Sequence, residues 1–320
     1  MSVDKNARMQ TGVLFLVMLL SGCATPQTQQ ILQAFPSKLP VQIELTQVPF
    51  FPQDKHQCGP AALAMVLNSS GVQVTPDSLI KQVYLPGREG SLQVEMLASA
   101  RRNGLLAYQL APQLNDLLTE VAAGTPVIVL QNLGLPWLPK WHYAVVIGYD
   151  LSREEIILRS GLQQRQVMLL STFEHTWSRS QYWAMLTMPV GEIPRTTTEE
   201  GYINAAVALE KNIIPEESVS VYQAALQKWP NNLTAHIGLG NALYKLGKNV
   251  KAEAAFRLAT VIHPDSAIAF NNLAQTLADQ KRYTEAMTAA SQAVNLAETK
   301  GNSMEVSSTK KTQEEIMLKM

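Results

Sequence analysis

The stretch running from His56 through Gln57, Cys58, Gly59 and Pro60 to Leu67 constrains this chain more than any other. It predicts a loop that turns abruptly into a buried helix with a cysteine in its first turn. Pro60 suits that turn, where a missing N–H costs nothing and φ is already helical. From Ala61 to Leu67 every residue is apolar, the pattern of a helix enclosed on all faces. Gly71, after Asn68, Ser69 and Ser70, is placed as a C-terminal cap. Cys58 would then sit at the positive end of a helix dipole, where a thiolate is favoured and the thiol pKa falls.

At 320 residues there is room for two domains. Hydrophobic residues make up 46% and charged ones 16%, enough apolar material for real cores. Basic and acidic side chains balance at 26 each, so no overall field favours nucleic acid. The five histidines, His56, His142, His175, His236 and His263, are scattered, and no Cys/His cluster has metal-ligand spacing. The expectation is neither metal nor cofactor.

Lys5 and Arg8 precede an apolar run from Gly12 to Leu20, short for a bilayer span and suited to a signal-peptide core. It ends in Leu20, Ser21, Gly22 and Cys23, which resembles the lipobox of bacterial lipoproteins. That resemblance implies a signal peptide over 1–23 and acylation of Cys23. With Ala24 following, it also implies outer-membrane sorting, facing the periplasm. Each buried acyl methylene adds about 0.8 kcal/mol, so several chains on one cysteine anchor stably. The chain has only two cysteines. With Cys23 assigned to the anchor, Cys58 is a lone thiol in an oxidising compartment, which calls for a reason such as reactivity.

Residues 24–40 carry Gln and Pro without periodicity and read as a tether. A first domain over 41–190 opens with an alternating strand at Val41–Leu45. Helices are expected over 58–70, 76–84 (capped by Thr75), 91–103 and 114–123. Strands follow at 126–130, 141–149, 155–160, 166–170 and 182–188, with a turn near Leu151–Arg153. Trp177 and Trp183 are core or rim aromatics. Helices first and an antiparallel sheet second is an α+β order.

Beyond a polar joint at 195–200 the chain reads as helix, with a period of 34. Pro230/Pro264, Leu239/Leu273, Leu243/Leu277, Ala252/Ala286, Ala255/Ala289 and Ala259/Ala293 share that spacing. This resembles the tetratricopeptide repeat, about three units over 198–298, which implies a surface for a protein partner. Residues 299–320 form a polar tail that frays or caps the stack.

A thiolate nucleophile needs a base and oxyanion donors. His142, opening an apolar strand, is the best base; His56 is the competitor. Gln53, then the run from Cys58 to Leu67, then His142 through Asp150 resemble the C39 and C39-like peptidases. The resemblance implies a papain-like fold that cleaves peptide bonds, often after paired glycines in leaders. It makes Cys58 the nucleophile and His142 its base. Gln53 becomes an oxyanion donor, with Gln57 as a possible substitute. The family's usual Asp beside the histidine is missing. Asp150 lies roughly 26 Å along the strand, and Arg159, Ser160 and Gly161 stand where the Asp should be. Ser160, or nearby Gln163, is left to orient the imidazole as Asn does in papain-like enzymes. Three readings stay open: an anchored cysteine peptidase, a non-catalytic peptide-binding scaffold, and a thiol amidase or transpeptidase.

Overall fold

The computed structural model describes residues 25–34, 39–53 and 57–320. The leader, Cys23 and His56 therefore lie outside the described residues. Two compact units emerge. One comprises the described residues up to Ser99 with Gln109–Thr187, the other Ala100–Tyr108 with Met188–Met320.

The first unit begins with a difference from the sequence reading. Where 24–40 reads as a tether, Pro26–Gln33 form a helix, α1, with Thr28 and Ile31 buried. It packs on two later helices, α5 (Leu114–Ala122) and α6 (Leu170–Ser178). Pro26 at its start suits a helix N-terminus. One buried apolar residue, Ile31, beside the polar Thr28 is too little to show as periodicity.

Helix α2 spans Cys58–Ser69 and is buried from Gly59 to Leu67, as its uniformly apolar sequence dictates. Gly71 follows at φ 91° as the stop. α3 (Pro76–Val83) is capped by the Thr75 hydroxyl, which accepts the Ser78 N–H. α4 covers Gln93–Arg102. Between them lies a small antiparallel hairpin, β2 (Tyr84–Leu85) with β3 (Gly90–Ser91).

A seven-stranded sheet forms the body. Its strands are β1 (Gln42–Glu44), β4 (Leu106–Gln109), β5 (Val127–Asn132), β6 (Trp141–Asp150), β7 (Glu155–Ser160), β8 (Gln163–Leu169) and β9 (Ala184–Met188). The order is β4-β9-β5-β6-β7-β8, with β1 pairing the far end of β6. β5 and the middle of β6 are buried throughout, matching their continuous apolar runs. α2 packs against β5, β6 and β7. Where the sequence suggested a strand from Tyr182, Gln181 and Tyr182 take left-handed φ values of 58° and 57°, and β9 starts only at Ala184. The preceding α6 stacks Phe173 on Trp177, whose indole N–H donates to the Trp183 carbonyl.

The second unit carries three helix pairs. They are α7 (Glu199–Glu210) with α8 (Pro215–Lys228), α9 (Leu233–Lys245) with α10 (Asn249–Ile262), and α11 (Ala267–Asp279) with α12 (Tyr283–Lys300). α13 (Ser303–Met317) packs on the last pair and buries Thr309, Thr312 and Ile316, so the polar tail is a capping helix.

Candidate active site

Cys58 is the first residue of α2 and half-buried. Its neighbour must be small: a Cβ on Gly59 would stand 2.2 Å from Ser91 Oγ and 2.6 Å from Ser91 Cβ. The β2–β3 hairpin can thus lie against the helix start only across a glycine. Hydrogen bonds from the Tyr143 backbone and from the first-turn backbone reach the thiol, which places it beside the start of β6.

The helix start does not lower the thiol pKa here. Burial raises the Cys58 pKa above that of an ordinary thiol, and the backbone hydrogen bonds only partly offset it. His142 is pushed down to about 4, first by burial and then by the charge of Lys140. At neutral pH the resting pair is thiol and neutral imidazole.

His142 Nε2 lies 2.9 Å from Ser160 Oγ. Ser160, rather than Gln163, is the group that touches the ring, and Gln163 is exposed on β8. With Nε2 engaged, Nδ1 is the ring nitrogen left for the thiol. A base role for Nδ1 would place the ring proton on Nε2, from which it is donated to Ser160. Asp150 serves elsewhere: its carboxylate accepts from the Ser152 hydroxyl and the Ser152 and Arg153 N–H groups in the β6–β7 turn.

Gln53 is buried, and among the described residues neither its amide nitrogen nor its amide oxygen has a partner. Its backbone N–H donates to the Gly161 carbonyl at 3.1 Å. Arg159, also buried, donates to the carbonyls of Thr46 and Val48 on the segment leading to Gln53. One short stretch, 159–161, therefore fixes both the imidazole and the segment leading to Gln53. Gln53, Cys58, His142 and Gly161 line a common cleft of about 1020 Å³. Gln57 sits as the residue capping α2 and does not line it. The cleft walls also carry Arg88, Lys140 and Arg179, with Glu89 as the acid among them. Arg179 and Ser91 escaped sequence reasoning because neither belongs to a motif; the helix that delivers Arg179 was itself missed.

Residues 45–185 match the model of the peptidase C39-like family, and 205–267 and 263–303 match the tetratricopeptide repeat. The first domain is therefore a C39-like α+β domain, and the second an all-α tetratricopeptide-repeat domain. A C39-like protein from Bacillus anthracis is 20% identical, over 49% of this chain and 99% of its own, with a TM-score of 0.40. The double-glycine-motif protease of an AMS/PCAT transporter, solved with its leader peptide, is 20% identical over 45% of this chain and 93% of its own, at 0.35. The Sgt2 tetratricopeptide domain of Aspergillus fumigatus is 24% identical over 38% and 76%, at 0.32. Comparison with curated proteins gave no match.

Proposed function

We propose that the first domain is a cysteine peptidase held by acylated Cys23 at the outer membrane, facing the periplasm, with the repeats engaging a protein partner or substrate. His142 Nδ1 takes the Cys58 proton as sulfur attacks the scissile carbonyl carbon. The same proton passes to the leaving amine. Water, giving a proton to His142, then attacks the thioester carbon; the C–S bond breaks and His142 returns that proton to the Cys58 sulfur. The oxyanion is met by the Gln53 amide and by the Cys58 N–H, which has no intrahelical acceptor at its helix position. A neutral resting pair makes this general-base chemistry, with no preformed ion pair.

The observation that carries the reading is the buried amide of Gln53, without a partner among the described residues and in the same cleft as Cys58 and His142. A donor kept dry and unsatisfied costs stability unless a ligand completes it.

A second reading is a peptide-binding cleft without turnover. The neutral thiol–imidazole pair and the uncharged Ser160 favour it, since Ser160 stabilises an imidazolium less than a carboxylate does. Incubation of the chain with a peptide library, reading new termini by mass spectrometry, separates the two. New termini made by the wild type and absent with Cys58→Ala support the peptidase. Retention of the same peptides by both proteins, uncut from pH 6 to 9, leaves the binding reading.

A further inference from the structure

The loop joining β5 to β6, residues 133–140, exposes what a soluble domain normally hides. Leu133, Leu135, Trp137 and Leu138 are 45%, 48%, 79% and 71% exposed, and Trp141 follows at 51%. The backbone beneath them is nonetheless fixed. Asn132 Oδ1 accepts the N–H groups of Gly134 and Lys140 at 2.9 and 2.8 Å. Leu135 and Leu138 exchange two N–H to carbonyl bonds of 3.1 Å. Arg179 Nη1 donates to the carbonyls of Asn132 and Gly134. Gly134 is obligatory, because a Cβ there would stand 2.4 Å from the Leu138 carbonyl oxygen. The result is a finger braced by hydrogen bonds, with an apolar tip and with Lys140 and Trp141 at its root on the cleft wall.

The start of the domain lies close to the same helix. The N–H groups of Gln27 and Thr28, at the N-terminus of α1, donate to the buried Glu174 carboxylate at 3.1 and 2.7 Å. Glu174 and Arg179 are five residues apart on one helical stretch, about 7.5 Å along its axis. α6 and its C-terminal capping residue Arg179 therefore hold both the point where the chain enters the domain and the root of the finger. Cys23 precedes Thr25 by two residues, a reach of roughly 7 Å.

We propose that this finger seats in the interfacial layer of a lipid bilayer. Trp137, Leu135 and Leu138 enter among the headgroups and upper acyl chains. Trp is at home at that depth, where its apolar ring and its N–H are both served. Leu133, Leu135, Trp137 and Leu138 do not line the cleft, whose wall ends on this side at Lys140 and Trp141, so their exposure does not serve a peptide held there. The proposal rests on acylation of Cys23, which brings the finger to the membrane.

The test uses the full acylated chain on vesicles of phosphatidylethanolamine and phosphatidylglycerol with brominated acyl chains. Quenching and a blue shift of tryptophan emission are expected in the wild type, with that component lost in Trp137→Phe. A vesicle-bound chain whose Trp137 stays unquenched and at solvent wavelength overturns the proposal. A blue shift that needs no lipid and grows with protein concentration would assign the finger to self-association, and also overturns it. The mass of the N-terminal peptide reports acylation separately. If Cys23 proves unmodified, the anchoring reading falls, and the vesicles are added to the soluble chain: quenching of Trp137 then upholds the finger and its absence overturns it.

Discussion

Ser160 Oγ stands 2.9 Å from His142 Nε2 because of one extra residue in β6. From Asp150↔Glu155 to Gly148↔Ile157 the β6–β7 register runs evenly, then it shifts so that Val146 faces Leu158 and Val145 faces Arg159. Ile147 is the bulge. Carried on unshifted, the ladder would set Gln163, Gly161 and Arg159 on the face of His142. Shifted by one, it sets Leu162, Ser160 and Leu158 there, since a one-residue slip exchanges the faces of a strand. The bulge thus gives the imidazole a hydroxyl neighbour and sends the Arg159 guanidinium to the Thr46–Val48 carbonyls.

Removing that hydroxyl should slow turnover without unfolding the domain. Ser160→Ala is expected to lower kcat/KM by about 10- to 100-fold, the range of an orienting group for a general base. Ser160→Asp places an anion beside the ring, raises the His142 pKa, and moves the acid limb of the pH–rate profile upward. An unmoved limb would show that the contact does not govern the imidazole.

The raised thiol predicts sluggish alkylation. Modification of Cys58 by iodoacetamide should climb only above the ordinary thiol range, near pH 8.5, and show no plateau at pH 5–7. His142→Ala should leave that curve unchanged. A plateau at pH 6 that vanishes in His142→Ala would mean an ion pair.

His142 also ties stability to pH. Its folded pKa of about 4 lies below the unfolded value near 6.5. Between them the unfolded chain binds more protons, so stability is full above pH 6.5 and falls as pH drops through 4. The loss is about 1–3 kcal/mol, allowing for the partial exposure of the ring. Urea unfolding of His142→Gln over this window should show a flatter dependence.

Gly59→Ala should disturb the site through sterics alone. The new methyl meets Ser91 at 2.2 Å, so the hairpin or the helix start must move, at a cost of about 1–3 kcal/mol. Adding Ser91→Gly should recover most of the melting temperature.

In the repeats, Glu253 ties α10 to the α11–α12 turn. Its carboxylate is buried, yet hydrogen bonds from Arg257, Gln280 and Arg282 outweigh that burial and lower its pKa. Glu253→Ala leaves Arg257 and Arg282 paired with Glu285 alone, and with both guanidinium groups part-exposed it should cost about 1 kcal/mol. Calorimetry of the full chain should place that loss in the repeat transition.

What could be read in advance follows from how local each signal is. The α2 helix, the apolar strands and the 34-residue period write themselves as runs and spacings. Cys58, His142, Gln53 and Ser160 could be named because motif residues and strand arithmetic bring them near one another. The direction of the Cys58 shift could not be read, since it depends on what encloses the thiol, and the helix dipole alone pointed the wrong way. α1 and α6 were missed for a related reason. α1 earns its place through Glu174, 146 residues away from Thr28, and α6 through its aromatic stack. The bulge at Ile147 has no residue signature at all.

The docking of α1 changes the scale on which such a protein would search. A free tether over residues 24–40, seventeen residues, could reach on the order of 56–61 Å from a lipid anchor. With Pro26–Gln33 folded onto the domain, only residues 24 and 25 separate Cys23 from it. With Cys23 acylated, encounter becomes a two-dimensional matter: targets travelling along the same leaflet meet the cleft often, and those free in the surrounding space must first come down to the surface.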